Sequence, residues 1–139
     1  MLMARNGKER SASPPKSGTV SGFRDAFKKA VTEMLILRLL RDSDMYAYEM
    51  QREMDQRSAG ALTFNTLYLA IYRLKDLGYI EERNKRTVDG RERIYFGITE
   101  NGQHRLSELI SDYQRLTSAV EGMLFADAAI TDKGSKEGQ

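Results

Sequence analysis

Two short stretches of this 139-residue chain carry side chains suited to chemistry on a polyanion. The first holds Thr63, Asn65, Thr66, Tyr68, Tyr72 and Arg73. Asparagine can meet an adenine edge with two hydrogen bonds, threonine can serve a base or a phosphate, and tyrosine hydroxyls suit backbone phosphates. No acid lies between Asp55 and Asp76, while Arg57, Arg73 and Lys75 are present. Negative charge is thus left out of a segment that would approach phosphates. The second stretch clusters Arg83, Lys85, Arg86, Arg91 and Arg93 among Glu81, Glu82, Asp89 and Glu92. Basic residues at the tip of a hairpin suit a minor groove or its phosphates. Each stretch alone has an ordinary reading, as a surface helix with two half-buried tyrosines or as a solvated turn. Their joint occurrence, in this order, is what points to nucleic acid.

Other chemistry finds little to work with. The chain has no cysteine and no tryptophan, and its one histidine, His104, follows Gln103 at an exposed-looking helical position. There is no glycine-rich phosphate loop and no spacing of metal ligands, so neither an enzyme nor a cofactor is expected. The longest apolar stretch, Met34–Leu40, is broken by Arg38 and is far shorter than the roughly 20 residues of a membrane span. The basic N-terminus lacks the apolar run of a signal peptide. A cytoplasmic protein without a membrane partner is the expectation.

The elements that must position the two stretches can be read from periodicity and stop signals. A first helix is predicted from about Phe23 to Leu40, apolar nearly all round in its second half. A second follows Asp44, a candidate N-cap, and runs to about Gln56, with Tyr46, Tyr48, Met50 and Met54 as its apolar groups. A third opens at Thr63, another candidate cap, and ends before Gly78. Leu67, Ala70, Ile71 and Leu74 form its inward stripe, and Asn65 and Thr66 fall in its first turn. Residues 79–83 and 93–98 flank Asp89-Gly90, a dipeptide that favours a hairpin turn. A last helix is predicted from Thr99 to about Phe125. The fold class is therefore mainly α with a two-stranded β wing: a winged helix-turn-helix followed by a long C-terminal dimerisation helix. Residues 1–21 read as a disordered basic arm, 22–98 as the DNA-binding domain, 99–125 as the dimerisation helix and 126–139 as a flexible tail.

The last helix carries Leu106, Leu109, Tyr113, Leu116, Val120 and Met123 at spacings of three and four, an a/d seam of nearly three heptads. At about 40 Å it is longer than a small domain is wide, so part of it projects and needs a partner. The natural partner is the same helix of a second subunit, with Val31 and Leu35 of the first helix joining the contact. Charge fits this division. The net charge is only +2, yet the first thirty residues hold seven bases against two acids, and the last helix is net acidic.

From Thr32 to Gly102 the chain resembles the PadR family of bacterial transcriptional regulators, in particular its short members with a single C-terminal helix. The residues that carry the resemblance are Ala47-Tyr48-Glu49 and the run Leu62-Thr63-Phe64-Asn65-Thr66-Leu67-Tyr68. Arg73-Leu74, Gly78-Tyr79-Ile80, Gly90-Arg91, Tyr95 and Thr99-Glu100-Asn101-Gly102 complete it, in the family's order. Ala47, Leu69 and Phe64-Asn65 depart from the family's usual Gly, Pro and Pro-Gly. The resemblance implies a sequence-specific DNA-binding regulator, a homodimer on a palindromic operator that represses transcription, with relief by a small aromatic effector in some members. A winged-helix module that binds protein, and an architectural or replication-control DNA binder, are the competing readings of the same fold.

Overall fold

Thr19 opens the first helix: its hydroxyl accepts the Gly22 N–H at 2.8 Å and satisfies one of the unpaired donors of the first turn. The computed structural model describes residues 19–126 and begins with this helix, α1, Val20–Asp42. The helix therefore starts inside the stretch assigned to an N-terminal arm; residues 1–18 and 127–139 lie outside the described part. An Arg38–Asp42 pair at 2.8 Å closes its last turn. Ile36, Leu37, Leu39 and Leu40 are buried, and α1 touches every other helix and the wing. That is why its second half is apolar on all sides.

The second helix, α2, Ala47–Arg57, begins two residues later than a cap at Asp44 suggested. Asp44 does not cap it. Its carboxylate lies 3.5 Å from Arg83, and Met45 pairs with Phe96 through two backbone hydrogen bonds of 3.1 and 2.9 Å. Residues 44–46 are thus held extended against the wing, which leaves the helix to start at Ala47 without a side-chain cap. Met50 and Met54 are buried, and Tyr48 faces outward.

The third helix, α3, is Tyr68–Asp76, followed by Gly78 at φ +82°. The wing comprises β1, Ile80–Val88, and β2, Arg91–Ile98, paired antiparallel from Ile80↔Ile98 to Val88↔Arg91. Asp89 and Gly90 have φ of 52° and 76°, the two positive values that a two-residue type I′ turn needs. The strands are longer and the turn tighter than the sequence pattern suggested. A bulge at Arg83 separates an exposed outer hairpin from a base where Tyr95, Phe96, Gly97 and Ile98 are all buried.

The last helix, α4, is Glu100–Leu124. Thr99, expected as its first residue, is instead its cap: Thr99 Oγ1 accepts the Gly102 N–H at 3.0 Å and donates to the Gly78 carbonyl at 2.7 Å. The start of α4 is thereby tied to the α3–β1 corner. The approach is so close that a Cβ on Gly102 would overlap the Tyr79 carbonyl oxygen. Ile36, Leu37, Met50, Leu67, Ile71, Leu74, Ile80 and Leu106 form the fully buried centre, so one core joins all four helices to the wing. At about 1.5–3 kcal/mol for each such side chain, it fixes the relative placement of α3 and the hairpin.

Candidate nucleic-acid interface

The chain between α2 and α3 is held by side chains from outside it. Thr63 Oγ1 donates to Asp55 Oδ1 at 2.7 Å. Lys28 Nζ donates to the Thr63 carbonyl at 2.6 Å and lies 5.2 Å from the centre of the Phe64 ring. Gln51 Nε2 donates to the carbonyls of Phe64 and Asn65, both at 2.8 Å. With these carbonyls accepting from side chains, no helical ladder forms until Ile71 N–H reaches the Leu67 carbonyl. Thr63 is therefore not a helix cap, and Asn65 and Thr66 are not in a first helical turn. They are exposed loop residues just ahead of α3, with Thr66 Oγ1 accepting the Tyr68 N–H at 3.3 Å.

On α3 the inward stripe is as expected, with Leu67, Ile71 and Leu74 buried. The outward face presents Tyr68 and Tyr72, half-exposed and stacked with ring centres 6.0 Å apart, and Leu69, which is 85% exposed. The acid-free interval from Asp55 to Asp76 is not acid-free in space. Glu33 of α1 meets Arg73 Nε at 2.7 Å, and Glu82 of β1 meets Lys75 at 2.9 Å, raising the lysine's pKa. Arg57, at the far end of α2, pairs with Glu53 and Asp42. The Arg38 guanidinium, and then that of Arg57, hold the exposed Asp42 carboxyl below the usual range.

The wing's basic residues divide into two groups. Lys85 and Arg91 are exposed and make no ion pair among the described residues. Arg86 and Arg93 face each other across the strands and lie on aromatic rings. Arg86 sits 4.2 Å from the centre of Tyr95, and Arg93 sits 5.1 Å from that of Tyr46. The two tyrosines themselves meet edge-on at 5.3 Å. Arg93 is only half-exposed, with a buried Nε that has no hydrogen-bond partner. Arg83, grouped with the tip by sequence, belongs instead to the base of the wing. It binds Glu81 at 2.7 Å, the Ile98 carbonyl at 2.7 Å and Asp44.

The α4 seam splits along its length. Leu106 is 1% exposed and packs in the core of its own chain, and Leu109 is half-buried. Tyr113, Leu116, Val120 and Met123 are open, Met123 at 82%. Val31 is likewise buried within the chain, and Leu35 is half-buried against the core. Leu106 and Val31 are thus satisfied without a second subunit, contrary to their assignment to a dimer contact. Further open apolar groups are Leu124 and Phe125 at the end of α4, and Val20, Phe23 and Phe27 in the first half of α1. A groove of about 900 Å³ runs between α1, α3 and α4, lined by Phe27, Val31, Phe64, Leu69, Leu109 and Tyr113 among others.

Among the described residues there is no cluster of possible metal ligands, and no helix is long and apolar enough to cross a membrane. Lys28, Glu33 and Gln51 were not singled out by sequence reasoning, and Tyr46 and Tyr95 were not read as partners of the wing's arginines. Their partners lie up to 47 residues away along the chain, and only the alternation that puts Arg93 and Tyr95 on one strand face hinted at the last.

Comparison with known proteins bears on this arrangement. The sequence profile of the transcriptional regulator PadR-like family matches residues 36–108. An uncharacterized protein of Lysinibacillus sphaericus is 31% identical over 91 residues, covering 64% of this chain and 84% of its own. The fold is similar to that of a transcriptional regulator from Clostridium thermocellum, with a TM-score of 0.64 at 22% identity over 69% of this chain and 95% of that one. It is equally similar to a PadR family transcriptional regulator from Eggerthella lenta, with a TM-score of 0.64 at 23% identity over 76% and 88% of the two chains. A PadR-like transcriptional regulator from Bacillus cereus gives 0.61 at 22% identity over 71% and 96%.

Proposed function

The chain belongs to the PadR-like family of transcriptional regulators, and on that premise we propose that it is a repressor that binds a palindromic operator as a homodimer. Its family makes it a DNA-binding regulator, not an enzyme. The observation that carries the finer reading is the outward face of α3 beside the wing. Tyr68 and Tyr72 stack there with hydroxyls free of protein partners among the described residues, Asn65 and Thr66 lie exposed ahead of them, and Lys85 and Arg91 extend from the hairpin. In this reading α3 enters a major groove, Asn65 and Thr66 read bases or hold phosphates, and Tyr68, Tyr72 and Arg73 bind the backbone. Lys85 and Arg91 reach the neighbouring minor groove, and Arg86 and Arg93 stiffen the hairpin on their tyrosines while adding positive charge.

The open half of the α4 seam, Tyr113, Leu116, Val120 and Met123, supports the homodimer, with Phe23 and Phe27 as further apolar surface for the second subunit. Leu109 and Leu35, at the edge of the core, border this contact. Two subunits related by a twofold axis present two recognition helices, which is why the operator is proposed to be palindromic. The groove between α1, α3 and α4 suits a small aromatic effector, because apolar walls meet Lys28, Glu33 and Arg73 there. A protein acting on the chromosome in this way works in the cytoplasm.

The test is binding to duplex DNA carrying the gene's own upstream region, measured across salt. Nanomolar affinity with a steep negative salt dependence is the expected result. Binding no tighter than to a random duplex, with a protein recovered as specific partner instead, would turn the reading to a protein-interaction module. Tight binding without sequence preference would turn it to an architectural role.

A further inference from the structure

Arg86 of β1 stands directly opposite Arg93 of β2. Like charges in directly opposed positions destabilise a strand pair. Neither arginine pairs with an acid among the described residues, although Glu81, Glu82, Asp89 and Glu92 lie in the same hairpin. Arg86 is instead tied twice to neutral groups. Its Nε donates to Asn84 Oδ1 at 3.1 Å, two residues back on the same strand face. Its guanidinium carbon lies 4.2 Å from the centre of the Tyr95 ring. A hydrogen bond at one edge and a ring beneath the plane together restrict the orientation of a flat, rigid group. The ring cannot follow a moving arginine. Tyr95 is 8% exposed and meets Tyr46 edge-on at 5.3 Å, and the neighbouring Met45 is bonded to Phe96 of the same strand. Nη1 and Nη2 of Arg86 make no contact among the described residues, and such a pair of donors can grip a phosphate. Arg93 lacks the second tie: its ring lies 5.1 Å away, and its Nε has no hydrogen-bond partner.

We infer that Asn84 and Tyr95 are positioning residues for DNA binding: they hold Arg86 so that its outer pair of nitrogens is set for a backbone phosphate before DNA arrives. The inference rests on the reading of α3 and the wing as the DNA interface, and it gives Arg86 a phosphate of its own there. Asn84 and Tyr95 touch no phosphate. They act by removing rotamers of Arg86 that cannot reach one.

The experiment uses the full chain and a duplex enriched by it from a random-sequence library, with affinity followed across salt. Each phosphate of the duplex is replaced in turn by an uncharged methylphosphonate. Arg86→Ala is expected to lower the magnitude of the salt slope by about 0.9 and to become insensitive to one methylphosphonate that weakens the parent. That phosphate is the one Arg86 grips. Asn84→Ala, at an exposed position, is expected to weaken binding about two- to fivefold and to shrink the cost of that same methylphosphonate. Tyr95→Phe keeps the ring and is expected to bind within about twofold of the parent. Tyr95→Leu keeps an apolar side chain without an aromatic face and is expected to lose as much as Asn84→Ala. In an Arg86→Ala background none of these changes is expected to alter affinity further. An equal loss by Asn84→Ala in that background would show that Asn84 meets DNA on its own and would overturn the inference. So would parent-like binding by Asn84→Ala, or an Arg86→Ala chain as sensitive to every methylphosphonate as the parent. A parent chain that enriches no sequence would overturn the reading of α3 and the wing, and the inference with it.

Discussion

The two halves of α4 carry the same apolar seam at the same spacing and meet opposite fates. In the first half Leu106 is sealed between α1 and the wing; in the second half Val120 and Met123 stand in the open. The first half is fixed by its own chain, through the Thr99 cap, the bond from Thr99 to Gly78 and the close approach of Gly102 to Tyr79. The second half has no such ties among the described residues. Helical spacing reports that a face is apolar, and says nothing about which molecule covers it. For half of the seam the answer is this chain; for the other half the proposed answer is a second copy.

Substitutions that treat the halves unequally test that division. Leu106→Ala is expected to cost about 2–5 kcal/mol of unfolding free energy by urea titration, as a large-to-small change in a tight core does. Met123→Ala is expected to stay within about 0.5 kcal/mol in dilute solution. Equal costs would erase the contrast. Leu116→Lys combined with Val120→Lys is next in size. It is expected to convert a particle of twice the chain mass to one of single mass by light scattering, with the helix content retained. A parent chain of single mass at micromolar concentration would leave the open seam without the proposed partner.

Two threonines sharpen the same point at smaller scale and show how far the sequence could be read. Thr99 and Thr63 both stand at the head of apolar helical patterns; the sequence makes Thr63 a candidate cap and Thr99 the start of its helix. Only Thr99 is a cap, because nothing else competes for the first turn of α4. At Thr63 the following carbonyls are taken by Lys28, 35 residues earlier, and by Gln51, 13 residues before Phe64. Thr99→Ala is expected to lower stability by about 1 kcal/mol. Gln51→Ala is expected to let the loop ahead of α3 relax, with a smaller loss of stability and a measurable loss of DNA affinity. What local chemistry decides was legible: the Asp89-Gly90 turn, the inward stripe of α3, the start of the last helix near Thr99 and the order of elements. What side chains from distant elements decide was not. The Asp44 carboxylate goes to Arg83 instead of a helix start, and Arg73 and Lys75 meet acids from α1 and β1. Tyr68, Tyr72 and Arg73 are exposed on α3, and Lys85, Arg86 and Arg91 on the hairpin, but Thr63, Asn65 and Thr66 lie ahead of the helix, and the side chains that support these groups were invisible.

The contrast along α4 recurs around α3, where Ile71 is fully buried and Tyr68 half-exposed three residues away. The smallest expected effect lies here, and it separates fold from function most cleanly. Tyr68→Phe removes one oxygen and keeps the ring that stacks on Tyr72 at 6.0 Å. The hydroxyl has no protein partner among the described residues, so its loss leaves no buried group unsatisfied, and the thermal midpoint is expected to stay unchanged. If the hydroxyl donates to a DNA phosphate, its loss is expected to weaken operator binding by about 0.5–1 kcal/mol, a two- to fivefold change in affinity. The salt slope should not move, because tyrosine neutralises no phosphate. Arg73→Ala, by contrast, should lower both affinity and slope. Unchanged affinity in Tyr68→Phe would take the hydroxyl out of the interface and leave the tyrosine as a stacking platform alone. A fallen slope would mean that the stacked pair had shifted and carried a neighbouring cation with it.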